Sequence, residues 1–535
     1  MSILLISLQK DLDIIGLKYL HYSLLNNSYH SLFLCLPNLN PIDANALEQI
    51  REFVLEHSPK LIGISLMSVE YDKARALTIY LKNNFTSIPV IWGGIHPTIA
   101  PEMCLDYADY VCIGEGERTI LDIARAVNAN ESLHTNERLD ADESLHTNES
   151  LDANESLHAD DRLTSINNLC YRDNGQIKKN PLYPLIENLD EIPFYDHIPV
   201  HCFIQDHKGI LPMSKKTFQK YARYSGTTYS VMSSRGCPFS CTYCCNNFLS
   251  HLYGSRKVRR RSIAGIISEL EKAVRNNPEI EYINFQDDCF LACTNEYLKE
   301  FCEIYQEKIK RPFIVRSIPV YLTRDKMASL KRAGLAWISV GLQSGSDRVC
   351  REIYQRRSLR ADFLKAAGLI RDFRIAAFYD VILDNPFETQ EDQMETIQTL
   401  IETPKPFYTQ FFSLSLYLGT ELYTRAQQNF LNIESSLSKD YLIYNKSTLN
   451  DMLRISTFLS KEHVQRVVDL YKKNPESLGF KVTFFIAKIL SMAICEPITY
   501  FQVIKLSQND RYLRTFKVMP SYFKEGFRRY INQFK

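Results

Sequence analysis

The chain has almost no net charge: 63 Lys and Arg stand against 62 Asp and Glu, leaving +1 over 535 residues. No global field therefore draws it to nucleic acid or membrane, and nucleic acid is not expected as a partner. A secretory signal is missing too. MSILLISLQKDLDIIG (1–16) has no basic n-region and no small-residue cleavage site, and it reads as a first strand. Long apolar runs are scarce. The longest in the C-terminal third, FFIAKILSMAICE (484–496), is too short to cross a bilayer and contains Lys488. The expected location is the cytoplasm. In that reducing compartment the 14 cysteines are no disulfide framework. Most are isolated, such as Cys35, Cys112, Cys302 and Cys350, and read as small buried hydrophobes. Four fall within 237–245, and that clustering needs its own explanation.

What is present is a long alternation of apolar runs and helical patterns. Over 1–130, strands are predicted at 3–8, 30–36, 60–66, 88–94 and 110–116, with helices at 42–56, 69–84 and 117–127. Such alternation gives a doubly wound, Rossmann-like parallel sheet covered on both faces. Residues 131–163 break the pattern. SLHTNERLDADE is followed by SLHTNESLDANE and SLHADDRL, a polar, acidic repeat of period twelve that offers little to bury. A surface loop or loose helix is expected there, and the evenly spaced His134, His146 and His158 read as linker residues rather than metal ligands. Residues 164–226 read as a linker with a hairpin turn at Asn174-Gly175.

A second α/β series fills 227–425. Strands are predicted at 228–234, 282–288, 313–319, 337–343, 375–383 and 408–417. The helices fall near 263–276, 295–309, 324–333, 347–354, 360–373 and 390–401. Six strand–helix units make a partial (β/α)6 barrel, whose chemistry belongs at the C-terminal ends of the strands. Residues 426–535 read as a mostly helical region that shapes the substrate site. Its end, 505–535, carries eight Lys and Arg against two Asp and Glu, interleaved with Tyr and Phe. A solvated amphipathic helix accounts for that composition, and contact with a membrane surface or an anionic substrate is the alternative.

RGCPFSCTYCC (235–245) follows the first strand of the second series. Cys237, Cys241 and Cys244, separated by three and two residues, can converge on one metal centre; thiolates suit iron–sulfur or zinc. A closed structural site wants four ligands, whereas three leave one metal position open. Cys245 is adjacent to Cys244 and its side chain should point elsewhere. A zinc loop would need a second Cys/His pair, and His251 has no partner at zinc-finger spacing.

The C-x3-C-x-aromatic-C pattern, with Tyr243 as its aromatic, resembles the signature of the radical S-adenosylmethionine superfamily. The resemblance implies a [4Fe–4S] cluster on Cys237, Cys241 and Cys244. Its open iron would chelate S-adenosylmethionine, and one electron would cleave that molecule to a 5′-deoxyadenosyl radical. Further segments match in order. VRRRS (258–262) with Glu269 resembles the stretch after the cluster. FQDDCF (285–290) makes Asp287 and Asp288 candidates for the methionine ammonium group. GLQSGSD (341–347) brings in Gln343 and Ser344, with Gln343 where the family usually has Glu. VILDNPFETQED (381–392) departs from the usual Gly-Leu-Pro-Gly at Asp384, Asn385 and Phe387. SLYLGTELY (415–423) resembles the end of the barrel.

IWGGIHPTIAPE (91–102) and DYVCIGEGE (109–117) resemble the cobalamin-binding domain that precedes the radical domain in one subfamily. The implied cofactor contacts are Ser65, Ser68, Gly93, Gly94, Gly114, Glu115 and Gly116, at strand ends where doubly wound sheets bind ligands. The Asp-x-His-x-x-Gly motif that supplies a cobalt ligand is absent, and His96 reads as part of a turn. Three functions stand. The first is a cobalamin-dependent radical methyltransferase acting on an unactivated carbon. The second is a radical enzyme of a cyclisation or rearrangement without methyl transfer. The third is a zinc-stabilised binding module without catalysis. The enzyme readings imply a small-molecule, natural-product or lipid-like substrate and an electron donor such as flavodoxin or ferredoxin.

Overall fold

The computed structural model of the chain describes residues 2–39, 43–140, 162–429 and 441–507. The chain divides into two compact units, Met1–Gly226 and Thr227–Lys535.

The first unit is built on one nine-stranded sheet. Strands β1 (Ser2–Ser7), β2 (His30–Cys35), β3 (Leu61–Ser65), β4 (Val90–Gly93) and β5 (Tyr110–Cys112) pair in parallel in the order β5-β4-β3-β1-β2. Every residue of β1 is buried, as expected where helices cover both faces of a parallel sheet. Helix Ile15–Asn26, absent from the sequence reading, connects β1 to β2. It has no capping side chain, and it buries polar and apolar side chains on several faces, including Leu17, Lys18, His21 and Leu24.

The stretch expected as a linker is part of this sheet. β6 (Leu169–Asp173) and β7 (Gln176–Lys179) form a hairpin on β5 across Asn174 and Gly175, both at positive φ, as a two-residue turn requires. β8 (Cys202–Asp206) adds in parallel to β2, and β9 (Gly209–Pro212) folds back on β8. Helix Glu117–Asp140 runs past the expected end at 127 and through the start of the acidic repeat. The repeat from 141 to 161, with His146 and His158, lies outside the described residues.

The second unit carries a six-stranded parallel sheet whose spatial order is its chain order: β10 (Thr228–Val231), then β13 (Tyr282–Phe285), β14 (Phe313–Ser317), β15 (Leu335–Gln343), β16 (Ala376–Leu383) and β17 (Tyr408–Ser413). Two short strands, β11 (Ser234–Arg235) and β12 (Arg259–Arg260), pair antiparallel beside it. Helices Ile263–Asn276, Asn295–Lys308, Arg324–Ala333, Arg360–Asp372 and Gln390–Glu402 connect the strands. Four of the five begin at a Ser or Thr whose hydroxyl accepts from a first-turn amide: Ser262, Thr294, Thr323 and Thr389.

Side chains alternate along these strands. Phe285, Phe313 and Tyr379 face the helices, packing on Phe301, Tyr305 and Phe363. The intervening residues, Ser230, Asn284, Arg316, Ser339 and Asp380, lie on the opposite face, so the two faces of the sheet differ in chemistry. Behind β10, Glu269 is fully buried. It accepts from Tyr229 Oη at 2.7 Å and pairs with Arg261. Glu269→Ala leaves Arg261 buried without its counter-charge. A loss of about 3–5 kcal/mol is expected, read as a lower melting temperature of the purified protein.

Candidate functional site

The cysteine loop starts where β11 ends. Gly236 has φ +99°, and a Cβ there would stand 2.8 Å from the Lys257 carbonyl oxygen. No other residue fits without moving the backbone. Cys237, Cys241 and Cys244 then gather with Phe239, Tyr243, Cys289, Ile318 and Tyr321 in one apolar cluster. The loop is closed by the Cys244 amide donating to Cys241 O at 3.0 Å. Thr242 anchors it, donating from its hydroxyl to Ile353 O at 2.6 Å and from its amide to Tyr354 O at 3.1 Å.

Burial pushes the Cys237 thiol up to about 12 and raises Cys241. A hydrogen bond with Cys245, together with burial, raises Cys244. Burial disfavours the free thiolate here, and a bound metal would supply the charge that offsets it. Among the described residues no group of three His, Cys, Asp or Glu side chains is arranged to hold a single ion. A cubane asks for something different, because each thiolate binds its own iron. The donor set fits a [4Fe–4S] cluster, and we propose Cys237, Cys241 and Cys244 as its ligands.

The residues assigned to S-adenosylmethionine separate. Asp287 is fully buried and accepts from Ser233 N at 3.2 Å, Ser233 Oγ at 2.7 Å and Ser234 Oγ. It ties the loop's entrance to β13 and is not offered to a ligand, which corrects its assignment. Asp288 stays reachable by solvent, and the surrounding protein raises its pKa against hydrogen bonds from Asn246 and the Gly236 backbone. It remains the candidate for an ammonium group. Tyr243 packs edge-on to Tyr354 at 4.8 Å, and its hydroxyl receives Arg356 Nη1 at 3.3 Å. Gln343 ends β15 at φ +66°, beside a register shift. Ser344 is 1% exposed and lies 3.3 Å from Thr396 Oγ1, so it braces the turn instead of facing a cofactor. The adjacent Gly345 permits that turn, since a Cβ would meet the helix Gln390–Glu402 at 2.5–2.9 Å.

The sequence reading missed the polar face of the sheet. Arg316 donates to Gln286 at 2.7 Å, and Ser339 donates to Asp380 Oδ2 at 3.0 Å. Trp337 stacks on Phe378 with centroids 4.7 Å apart. The alternation of polar and apolar residues inside each strand was the available signal. Arg356, buried, joins two parts of this face, donating to Gly341 O at 2.5 Å as well as to Tyr243.

In the first unit, the ends of β3, β4 and β5 meet. Gly94, at φ +98°, approaches Leu66 and Ser65 so closely that a Cβ would stand 2.8 Å from Leu66 O. Thr98 donates to Gly94 O at 2.8 Å and accepts from Gly114 N at 3.0 Å, binding the two glycine turns together. Ser65, Gly94 and Gly114 therefore share one edge, with Gly93 beside them. Glu115 is directed elsewhere, its carboxylate accepting from Ile186 N at 3.2 Å, and a Cβ on Gly116 would meet Leu20. Ser68 is buried on His96, with Oγ 2.9 Å from Nδ1, which removes it from the ligand edge. His96 is itself 1% exposed and bonded to Ser68 through Nδ1, which fits its reading as part of the turn; burial lowers its pKa to about 4. The glycine-lined edge fits a cobalamin held without a protein histidine.

Comparison with known proteins agrees with both units. The B12 binding domain model matches residues 1–124, and the radical SAM superfamily model matches 231–400. An uncharacterized methyltransferase of Pyrococcus horikoshii is 25% identical over 418 residues, 77% of this chain and 78% of that one. The anaerobic magnesium-protoporphyrin IX monomethyl ester cyclase of Rubrivivax gelatinosus is 25% identical over 375 residues, 67% of this chain; the match spans only 56% of the cyclase. Among solved structures, the radical S-adenosylmethionine methyltransferase TsrM of Kitasatospora setae, with tryptophan and a SAM analog bound, has a TM-score of 0.59. Its identity is 15%, over 80% of this chain and 76% of that one. OxsB, a cobalamin-dependent S-adenosylmethionine radical enzyme, has a TM-score of 0.60 at 14% identity, over 98% and 81%. At these identities the structures speak for the fold.

Two predictions follow from the geometry. Cys237→Ala, Cys241→Ala and Cys244→Ala should each abolish bound iron and sulfide and the thiolate-to-iron absorption, while Cys245→Ala keeps them. Burial holds Asp380 up at about 6, against a hydrogen bond from Ser339 and the charges of Arg316 and Arg356. The raised pKa favours the protonated folded state, a contribution present at low pH and lost as pH climbs through about 6. Asp380→Asn should therefore melt above the parent at about pH 8, by about 1–3 kcal/mol, with the gain shrinking toward about pH 5.

Proposed function

We propose that this chain, which belongs to the radical S-adenosylmethionine superfamily in the branch with an N-terminal cobalamin-binding domain, is a methyltransferase acting on an unactivated carbon of a small molecule. Its cofactors are a [4Fe–4S] cluster, S-adenosylmethionine and cobalamin. When bound, the cluster supplies the electron that cleaves S-adenosylmethionine to a 5′-deoxyadenosyl radical, and cobalamin carries the methyl group. One observation carries the methyl-transfer reading: a B12-binding unit and a three-cysteine radical unit share one chain, aligned over 77% of its length with a relative named a methyltransferase.

The chain's own residues have distinct tasks in this reading. Cys237, Cys241 and Cys244 would hold the cluster through their three thiolates, which would leave it able to take the amino and carboxylate groups of S-adenosylmethionine. Asp288 accepts the ammonium. The polar face of the second sheet receives substrate. There Arg316, Gln286, Ser339 and Asp380 offer hydrogen-bonding groups beside the Trp337–Phe378 stack, a combination suited to a natural-product or lipid-like molecule with a flat apolar part. Tyr408, in contact with Phe458 and Tyr500 of the C-terminal helices, walls off one side and keeps water out. A flavodoxin or ferredoxin is the proposed electron donor.

A second reading, ring formation without methyl transfer, draws on relatives named cyclases, 22–25% identical. Methyl-labelled S-adenosylmethionine separates the two on anaerobically reconstituted protein. Label in the product, with both 5′-deoxyadenosine and S-adenosylhomocysteine released, is expected. An unlabelled product with 5′-deoxyadenosine alone assigns ring formation. Failure to take up cobalamin sinks the methyl-transfer reading, and one equivalent of zinc with no iron sinks both.

A further inference from the structure

One helix of the second unit exposes a long apolar face. Leu478–Leu490 continues through a π-helical turn, Ser491–Cys495, into Glu496–Leu506. The resulting 29-residue helix is long and apolar enough, by length and composition, to cross a membrane. The apolar run of 484–496 underestimated it, because Val482, Ile498 and their neighbours extend the same stripe on both sides of Lys488 and Glu496.

A helix on a protein surface normally turns its apolar side inward and its polar side to water. Here both sides carry apolar residues: Phe480, Ala487, Val503 and Ile504 are buried against the unit, and a second apolar stripe faces out. Facing the protein, Lys488 pairs with Asp451 at 2.5 Å and Glu496 with Arg454 at 3.0 Å, both partners lying on helix Thr448–Phe458. Ser491 and Thr499 are buried on the same side. Facing out are Val482, Phe485, Ile486, Ile489, Ile494 and Ile498, with Phe485 64% exposed and the others about half exposed. At about 1.5 Å per residue the stripe runs about 24 Å without a charge. A contiguous apolar patch of this kind marks an interaction surface.

The flanking charge names the partner. Lys481, paired with Glu476 at 2.7 Å, and Lys505 bracket the stripe, both exposed. From Lys505 to the last residue the sequence carries eight Lys and Arg against two Asp and Glu, with seven Tyr and Phe among them. Apolar side chains on one face, flanked by basic and aromatic residues, match an anionic phospholipid surface: the apolar face enters the acyl boundary and the cations meet the headgroups. A spanning helix fits poorly, because Lys488 and Glu496 would have to lie at membrane depth. We propose that the Val482–Ile498 face docks this enzyme on an anionic membrane surface, with the helix lying in the interface.

The test is flotation of the full-length, cluster-loaded protein with vesicles of phosphatidylcholine, alone or enriched in phosphatidylglycerol. Binding to the anionic vesicles is expected, weakened by salt, and reduced roughly tenfold or more by the double substitution Phe485→Glu and Ile494→Glu. Both positions face outward, so the double variant should keep its iron content and melting temperature. Equal binding by the double variant overturns the proposal, as does no binding at all. A dimer seen by sedimentation that the double variant breaks, without vesicle binding, assigns the face to a second copy instead. Resistance to carbonate extraction with protease protection of the C-terminus makes the helix a membrane span, and the interfacial proposal fails.

Discussion

The chemistry of the second unit depends on one buried carboxylate. Asp287 has no exposed surface, and its oxygens accept from Ser233 and Ser234, the residues where the chain leaves β10 for the cysteine loop. A carboxylate removed from water must find donors within the protein, or its burial becomes prohibitive. The donors it finds are those that fix the direction of the loop. Gly236 then turns in a space no side chain could share, and Thr242 ties the far side to the backbone of Ile353 and Tyr354. Three cysteines on a short loop acquire a defined geometry because both ends of that loop are bonded to neighbouring elements.

A division of labour between adjacent residues recurs through the molecule. Asp287 builds and Asp288 faces outward. Gln343 ends a strand while Ser344 is buried against Thr396. In the first unit Ser65 stands at the strand edge, whereas Ser68, three residues on, is bonded to His96. In each case neighbouring residues of similar chemistry have different tasks because the backbone turns between them. Gly94 and Gly114 are held in one place by Thr98, so the glycine-lined edge is a rigid feature of the sheet.

The outward helix shows the same principle at larger scale. Lys488 and Glu496 pair with Asp451 and Arg454 at the edge of the unit, which leaves the outer face apolar. Read as a linear sequence, Lys488 and Glu496 interrupt an apolar run. Placed on a helix, they share one face and leave the other uninterrupted.

The sequence by itself determined the two α/β units, most strand and helix positions and the cysteine loop. These follow from local rules: period-two and period-3.6 patterns, capping hydroxyls before helices and a ligand spacing fixed within eight residues. It did not give helix Ile15–Asn26, whose burial on several sides erases the amphipathic signal. It indicated the hairpin turn at Asn174-Gly175 but not that 164–226 adds four strands to the first sheet, since β8 finds β2 only through pairing far along the chain. The tertiary structure alone decided which of two neighbouring aspartates is buried and which exposed, how Ser68 and His96 occupy each other, and that Arg316, Ser339 and Asp380 share a face. Those outcomes depend on which donors and acceptors distant segments bring together, and local sequence does not encode that meeting.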